Sequence, residues 1–245
     1  MHNILLDIIR KKKKDIQKTH KAHAFKNALL NPHYSNTAFI GEIKLASPTM
    51  KLIHPTIDIT KQAVEYEHVG LDAISVITEK HFFKGDPSFI QNIKQKVQLP
   101  VLQKDFIIDE SQIYEAKQLT SDALLLIARL VSEQALIQFV SLCQRLGIEP
   151  IVEIHNDEDL YKAVATTTSI IAVNARNLET FVVHVDMACK LLKKIPDRFI
   201  KLGFSGVQSS KEVKKYQSSG VRGILIGTGL MKTKNIPKFM NSLKI

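Results

Sequence analysis

Tryptophan is absent from the 245-residue chain, and cysteine occurs only twice, at Cys143 and Cys189. Both cysteines fall in stretches of helical periodicity and lie far apart. They offer no disulfide framework and no paired zinc spacing, which fits a reducing compartment. Long apolar runs are missing too, none approaching the roughly 18 residues that cross a bilayer. A signal-peptide core is also lacking, because the apolar stretch from Ile4 to Ile9 is short and runs straight into lysines. These absences predict a cytoplasmic protein with no membrane partner. His54, His68, His81, His155 and His184 show no ligand spacing of the His-x-x-x-His kind; they read as surface or loop residues, and no metal is expected.

Acidic side chains are the scarcer charge: 24 Asp and Glu against 34 Lys and Arg leave a formal +10. Such a balance raises nucleic acid as a partner. The densest basic run, Arg10 to Lys14, has no interleaved aromatics and no Gly-Arg repeats, and reads as the exposed face of an opening helix. A lysine-rich solvated surface that also favours a phosphorylated substrate accounts for the charge better. No nucleic-acid partner is expected.

An apolar share of 44% is enough for a sizeable core. Ile4, Leu5, Ile8 and Ile9 have helical spacing and predict an amphipathic opening helix over 3–19, while 20–35 carry no clear period. Thr37 to Ile43 reads as a strand with Ile40, Glu42 and Lys44 on one face and Phe39, Gly41 and Ile43 on the other. Further strands are expected from near Ala73, Val101, Ala123, Ile151, Ile170, Phe199 and Gly223, with helical patterns such as Ser132 to Leu146 and Ser209 to Ser218 between them. A quasi-repeat supports the alternation. Gly70-Leu71-Asp72-Ala73, Thr120-Ser121-Asp122-Ala123 and Gly220-Val221-Arg222-Gly223 each read as a helix end, a tight turn and a buried strand, at intervals that fit pairs of βα units. The pattern predicts an α/β fold, a (β/α)8 barrel with an extra N-terminal helix. A single domain over 1–245 is expected, helical over 1–35 and barrel over 36–245, acting as a monomer. A doubly wound sheet fits less well, because no Gly-x-Gly-x-x-Gly follows the first strand.

Active sites of such barrels lie at the C-terminal ends of the strands. Those ends read Glu42 and Lys44, then Lys104 after Leu99-Pro100-Val101-Leu102-Gln103, then Glu153, then Asn174 and Arg176. A lone strand-end lysine or glutamate is usually a solvated loop residue, and Arg176 has Glu179 nearby as an ordinary partner. Several such residues converging on one rim are harder to explain structurally. After the last two strands come Ser205-Gly206 and Gly227-Thr228, small residues that free backbone N–H groups for a phosphate.

The stretches GEIKLASPT (41–49), DAISVITEKHFFKGD (72–86), LPVLQKDFIIDESQIYEAK (99–117), DALLLIARL (122–130), EPIVEIH (149–155), AVNARNLETF (172–181) and IGTGLM (226–231) follow one another in family order. Over nearly its full length the chain resembles the indole-3-glycerol-phosphate synthases of tryptophan biosynthesis. The resemblance implies closure of the ring of 1-(o-carboxyphenylamino)-1-deoxyribulose 5-phosphate with loss of carbon dioxide and water, and no cofactor. It implies Lys104 as general acid and Glu153 as base of dehydration. By the same resemblance, Lys44 is expected to contact the substrate and donate a proton, and Glu42 to hold the lysines charged. Asn174 and Arg176 are expected to orient the substrate. Ser47 is expected on a mobile loop, with Phe83, Phe106 and Leu126 as the wall of the aromatic ring. Ser205, Gly206, Gly227 and Thr228 are expected to cradle the phosphate.

The chain departs from the family pattern at three places. Phe204 stands where Glu is usual before Ser-Gly, Met50-Lys51 where a Gly is usual, and Gly229 where Ser is common. Parity places Phe204 on the inward face with Leu202. Two functions therefore remain in play, an active synthase and a phosphate-sugar-binding barrel that has lost turnover.

Overall fold

A computed structural model describes residues 4, 6–12, 23–33, 36–48 and 57–243. Eight strands close into one barrel: β1 (Ala38–Ile43), β2 (Ala73–Ile77), β3 (Val101–Lys104), β4 (Ala123–Ile127), β5 (Glu149–Ile154), β6 (Ile170–Asn174), β7 (Ile200–Phe204) and β8 (Gly223–Ile226). Each pairs in parallel with the next, and β8 returns to β1 with Ala38 opposite Gly223. The strands are apolar on both faces because both are covered, as parallel sheets require. Ala38, Ile40, Leu102, Leu125, Ile151, Leu202 and Leu225 fill the interior. Phe39, Ile43, Val101, Leu124, Leu126 and Ile224 pack outward against the helices.

A short helix, α1 (Ala24–Leu30), closes the N-terminal end, where Phe25 and Leu29 join the interior cluster. The sequence leaves this segment unassigned because its seven residues carry just two core positions and no side-chain cap. Residues 6–12 are helical as expected, but Ile4, Leu6, Ile8 and Ile9 are exposed rather than packed on the barrel. Residues 3, 5 and 13–19 of the expected opening helix lie outside the described residues.

The helices between strands are α2 (Ile59–His68), α3 (Ser88–Lys94), α4 (Glu110–Gln118), α5 (Glu133–Arg145), α6 (Asp157–Val164), α7 (Val185–Leu192) and α8 (Ser210–Gln217), with α9 (Thr228–Lys232) and α10 (Ile236–Leu243) after β8. Several begin on a residue that the sequence marks as a cap. Asp109 with Gln112, and Ser209 with Glu212, form reciprocal capping boxes. Because these caps end the loops leaving the strand C-termini, they fix the rim where functional side chains gather.

The quasi-repeat has a physical role at the opposite end. Asp72 accepts from the Phe39 N–H at 2.8 Å and Asp122 from the Val101 N–H at 2.8 Å, so each acid fastens the preceding strand. In the third copy Arg222 does this through its backbone, donating to the Lys201 carbonyl and accepting from Ala38.

Candidate active site

Strand parity sends Glu42 and Lys44 inward at the end of β1. Lys44 Nζ donates to Glu42 Oε1 at 2.5 Å, and the acid is buried. Burial pushes the Glu42 carboxyl upward, but Lys44, Lys104 and Arg176 outweigh it, holding the carboxyl below its ordinary value. Gly227, at the end of β8, makes room for this pair. A Cβ there would collide with the Glu42 carboxylate and stand 3.0 Å from Lys44 Nζ.

Lys104 ends β3 and lines the cavity at the barrel mouth together with Glu42, Lys44, Glu153, Asn174 and Arg176. Its charge acts on both Glu42 and Glu153. The next residues are held tightly: Asp105 accepts from the Thr78 hydroxyl and from the Phe106 N–H. Phe106 faces Phe83 with ring centroids 6.2 Å apart. Phe83 is itself set by Glu79, whose carboxylate accepts the N–H groups of His81, Phe82 and Phe83. Phe83 O then accepts from the Ala46 N–H, docking this loop on the one that carries Ser47. Ser47 lines the cavity; Met50-Lys51 lie outside the described residues.

Leu126 corrects an expectation. It packs in the outer layer, while Leu125 and Ile127 face the cavity. Successive residues of a strand point to opposite sides, and β4 puts its odd-numbered positions inside.

Glu153 ends the inward face of β5. Oε1 receives Asn174 Nδ2 at 3.2 Å and lies 2.9 Å from His155 Nε2. Burial raises this carboxyl, and the His155 hydrogen bond, Lys104, the charge of His155 and Asn174 together bring it below its ordinary value. His155 stands in the bend after β5, a loop residue as expected, but its side chain is 5% exposed and so does not face solvent. The signal was available in Val152-Glu153-Ile154-His155, because residues two apart share a side of the chain.

Asn174 also accepts from the Arg176 N–H at 3.0 Å, which fixes the orientation of its amide. Arg176 directs Nη1 to the Phe181 carbonyl at 2.9 Å rather than to Glu179. Phe181, at φ +58°, and Leu178 also line the cavity; sequence reasoning did not single them out.

A second groove joins the mouth and is lined by Lys44, Arg176, Ser205, Gly206, Gly227, Thr228 and Lys232. Ser205 and Gly206 have φ of +69° and +86°, and a Cβ at Gly206 would strike Val185. The four small residues expected to cradle phosphate are thus brought together beside three cationic side chains. Phe239 of α10 closes the far side: its ring occupies the space that a Cβ at Gly229 would need. Phe204 is fully buried in the interior cluster with Leu202 and Leu225.

Two tyrosines hold the rim from outside. Tyr66 of α2 lies over Gly41 and donates its hydroxyl to the Glu42 carbonyl at 3.2 Å. Tyr216 of α8 lies over Gly203 and donates to the carbonyls of Phe204 at 3.1 Å and Ser205 at 2.9 Å. Burial raises both phenols well above their ordinary value, so they remain protonated donors.

The closed barrel and its charged C-terminal mouth define a (β/α)8-barrel enzyme. The family described as "Indole-3-glycerol phosphate synthase" matches residues 6–243. Relatives of that name are 40% identical in Lachnoclostridium phytofermentans, over 84% of this chain and 76% of the relative, and 39% identical in Clostridium kluyveri, over 91% and 86%. A third, from Endomicrobium trichonymphae, is 38% identical over 96% of this chain and 95% of its own length. Among solved structures, thiamine phosphate pyrophosphorylase from Pyrococcus furiosus superposes with a TM-score of 0.60 at 11% identity, covering 84% of this chain and 93% of that one, a likeness of fold alone. The chain belongs to the indole-3-glycerol phosphate synthase family.

Proposed function

We propose that this mouth converts 1-(o-carboxyphenylamino)-1-deoxyribulose 5-phosphate to indole-3-glycerol phosphate with Lys104 as the acid of ring closure and Glu153 as the base of dehydration. The observation that carries the assignment is the electrostatic setting of Lys104, whose ammonium acts on two buried carboxylates, Glu42 and Glu153, from the wall of one cavity. Both carboxyls are held below their ordinary value, so at neutral pH the acids are ionised and the lysine faces negative charge.

The aryl carbon that bears the substrate carboxylate bonds to the ketose carbonyl carbon. Negative charge gathers on the carbonyl oxygen, and Lys104 gives it a proton. Carbon dioxide then leaves, and the electron pair of the broken bond returns to the ring. In the last stage the new hydroxyl departs as water with a proton from a lysine ammonium, for which Lys44 is the second donor. Glu153 takes the proton from the ring carbon beside nitrogen, which restores aromaticity.

Arg176 is suited to the planar carboxylate, Asn174 to orientation, and Phe83 with Phe106 to the faces of the anthranilate ring. Ser205, Gly206, Gly227 and Thr228 receive the phosphate, with Lys232 adding charge. No step calls for a cofactor.

Purified protein given the carboxyphenylamino substrate is expected to produce the fluorescence of the indole product. Lys104→Ala is expected to lower kcat by about 10²–10⁴-fold, the usual worth of a general acid. A variant that kept most of its turnover would remove Lys104 from this role. The second reading, a barrel that binds the substrate and has lost turnover, draws on Phe204. Its fully buried ring fills the place where the resemblance expects a carboxylate. Substrate binding without product would favour it.

A further inference from the structure

We propose that His155 is a positioning residue for Glu153: with the Asn174 amide it pins Oε1 and leaves Oε2 as the oxygen that takes the substrate's proton. The proposal rests on Glu153 being the base, and it adds which atom of Glu153 reacts and what holds it.

His155 Nε2 and Asn174 Nδ2 both address Oε1, at 2.9 Å and 3.2 Å. Oε2 is equally buried and has no hydrogen-bond partner among the described residues. An ionised carboxylate can only accept, so the imidazole nitrogen facing it carries hydrogen. Two donors on one oxygen stop the carboxylate from turning about its Cγ–Cδ bond. The other oxygen is then presented in one direction, which is the geometric requirement for a fast proton transfer.

The donors are anchored in turn. Asn174 cannot flip, because its Oδ1 accepts the Arg176 N–H. The His155 main-chain N–H donates to Asp159 Oδ2 at 2.8 Å, which fixes the backbone that carries the ring, and Asp159 is further held by Arg129 and by the cap residue Asn156. Glu153 lines the cavity in the mouth, whereas His155 lines a groove behind it with Arg129, Asn156, His184, Lys190 and Lys194. The ring supports the base from the side away from substrate. Around the pair, the charged and titratable groups among the described residues are Lys104 from β3, Asp157 and Asp159 from α6, Arg129 from the turn after β4, and His184, Lys190 and Lys194 from the α7 side, Lys194 being paired with Asp157.

The test compares two variants. His155→Phe fills the space without a donor, and His155→Gln restores an N–H. With the carboxyphenylamino substrate, the Phe variant is expected to lose about tenfold or more in kcat while KM stays within about twofold, as misorientation of a catalytic group does. Its acid limb is expected at higher pH, because a hydrogen bond that favours the ionised carboxylate is gone. The Gln variant is expected to recover most of both. Carbon-13 NMR titration of the Glu153 carboxyl, assigned with Glu153→Gln, reads the same hydrogen bond without turnover. Its midpoint is expected to rise in the Phe variant and return in the Gln variant. Should the Phe variant not fold, His155→Leu is the donor-free substitute. A carboxyl midpoint indifferent to these substitutions overturns the proposal, and so does a Gln variant as slow as the donor-free one. If the wild type binds substrate without turnover, the synthase chemistry fails while the titration still decides the role of His155.

Discussion

Gly227 Cα rests against the Glu42 carboxylate so closely that no side chain fits between them, and this contact ties the end of β8 to the ion pair at the end of β1. Gly227→Ala is therefore expected to push Glu42 and Lys44 apart. Overpacking of this kind costs about 1–3 kcal/mol, and kcat/KM is expected to fall about tenfold or more as the lysine loses its orientation. Thermal melts and steady-state kinetics on one preparation check both effects. Full activity would mean that the pair tolerates displacement.

The depressed carboxyls make stability depend on acid. A carboxyl lowered in the folded state contributes stability that is present above its unfolded value, 4.5 for glutamate, and is lost as pH falls through the lower folded value. Denaturant unfolding from pH 7 to pH 3 is expected to show stability falling below about 4.5. Glu153→Gln is expected to flatten part of that fall. The acid limb of kcat/KM should likewise lie below the ordinary carboxyl value in the wild type. An acid limb above it would show that the charges of Lys104 and His155 do not act on Glu153 as described.

Leu126 and Ile127 are neighbours with opposite duties. Leu126→Ala is expected to cost about 2–5 kcal/mol by opening a cavity under the helices, with KM nearly unchanged. Ile127 lines the cavity at the mouth, and Ile127→Ala is expected to raise KM as well. If Leu126→Ala were the variant that weakened substrate binding, the parity of β4 would be misassigned.

Phe204 lies level with Asn174 of β6 and Leu225 of β8 inside the barrel. Removing its ring costs about 3–5 kcal/mol on the scale of buried aromatics, and a carboxylate there adds a desolvation cost. Phe204→Glu is expected to melt at a lower temperature without a large gain in turnover. A large gain would show that the ring holds the natural chain back.

Much of this site was legible because strand parity is arithmetic. Once β1, β3, β5 and β6 are located, Glu42, Lys44, Lys104, Glu153 and Asn174 must face one another. The same rule, applied to β4 and to the residue two beyond Glu153, would have exchanged Leu126 for Ile127 and brought in His155. Other features had no local signal. α1 is seven residues with two buried positions, and its role depends on the barrel whose end it closes. Phe181 reaches the cavity through a left-handed backbone conformation that its sequence neighbours do not announce. The exposure of Ile8 and Ile9 depends on what the first helix meets, which periodicity does not encode.

Tyr66 over Gly41 and Tyr216 over Gly203 are the same device used twice, and positions 42 and 204 are its counterparts. In each, the hydroxyl grips a main-chain carbonyl rather than the side chain beyond it. The grip of each tyrosine on the backbone therefore does not depend on which side chain stands at either position. A glutamate can occupy one and a phenylalanine the other with the same backbone beneath them. This separation lets chemistry drift at the mouth while the architecture stays constant.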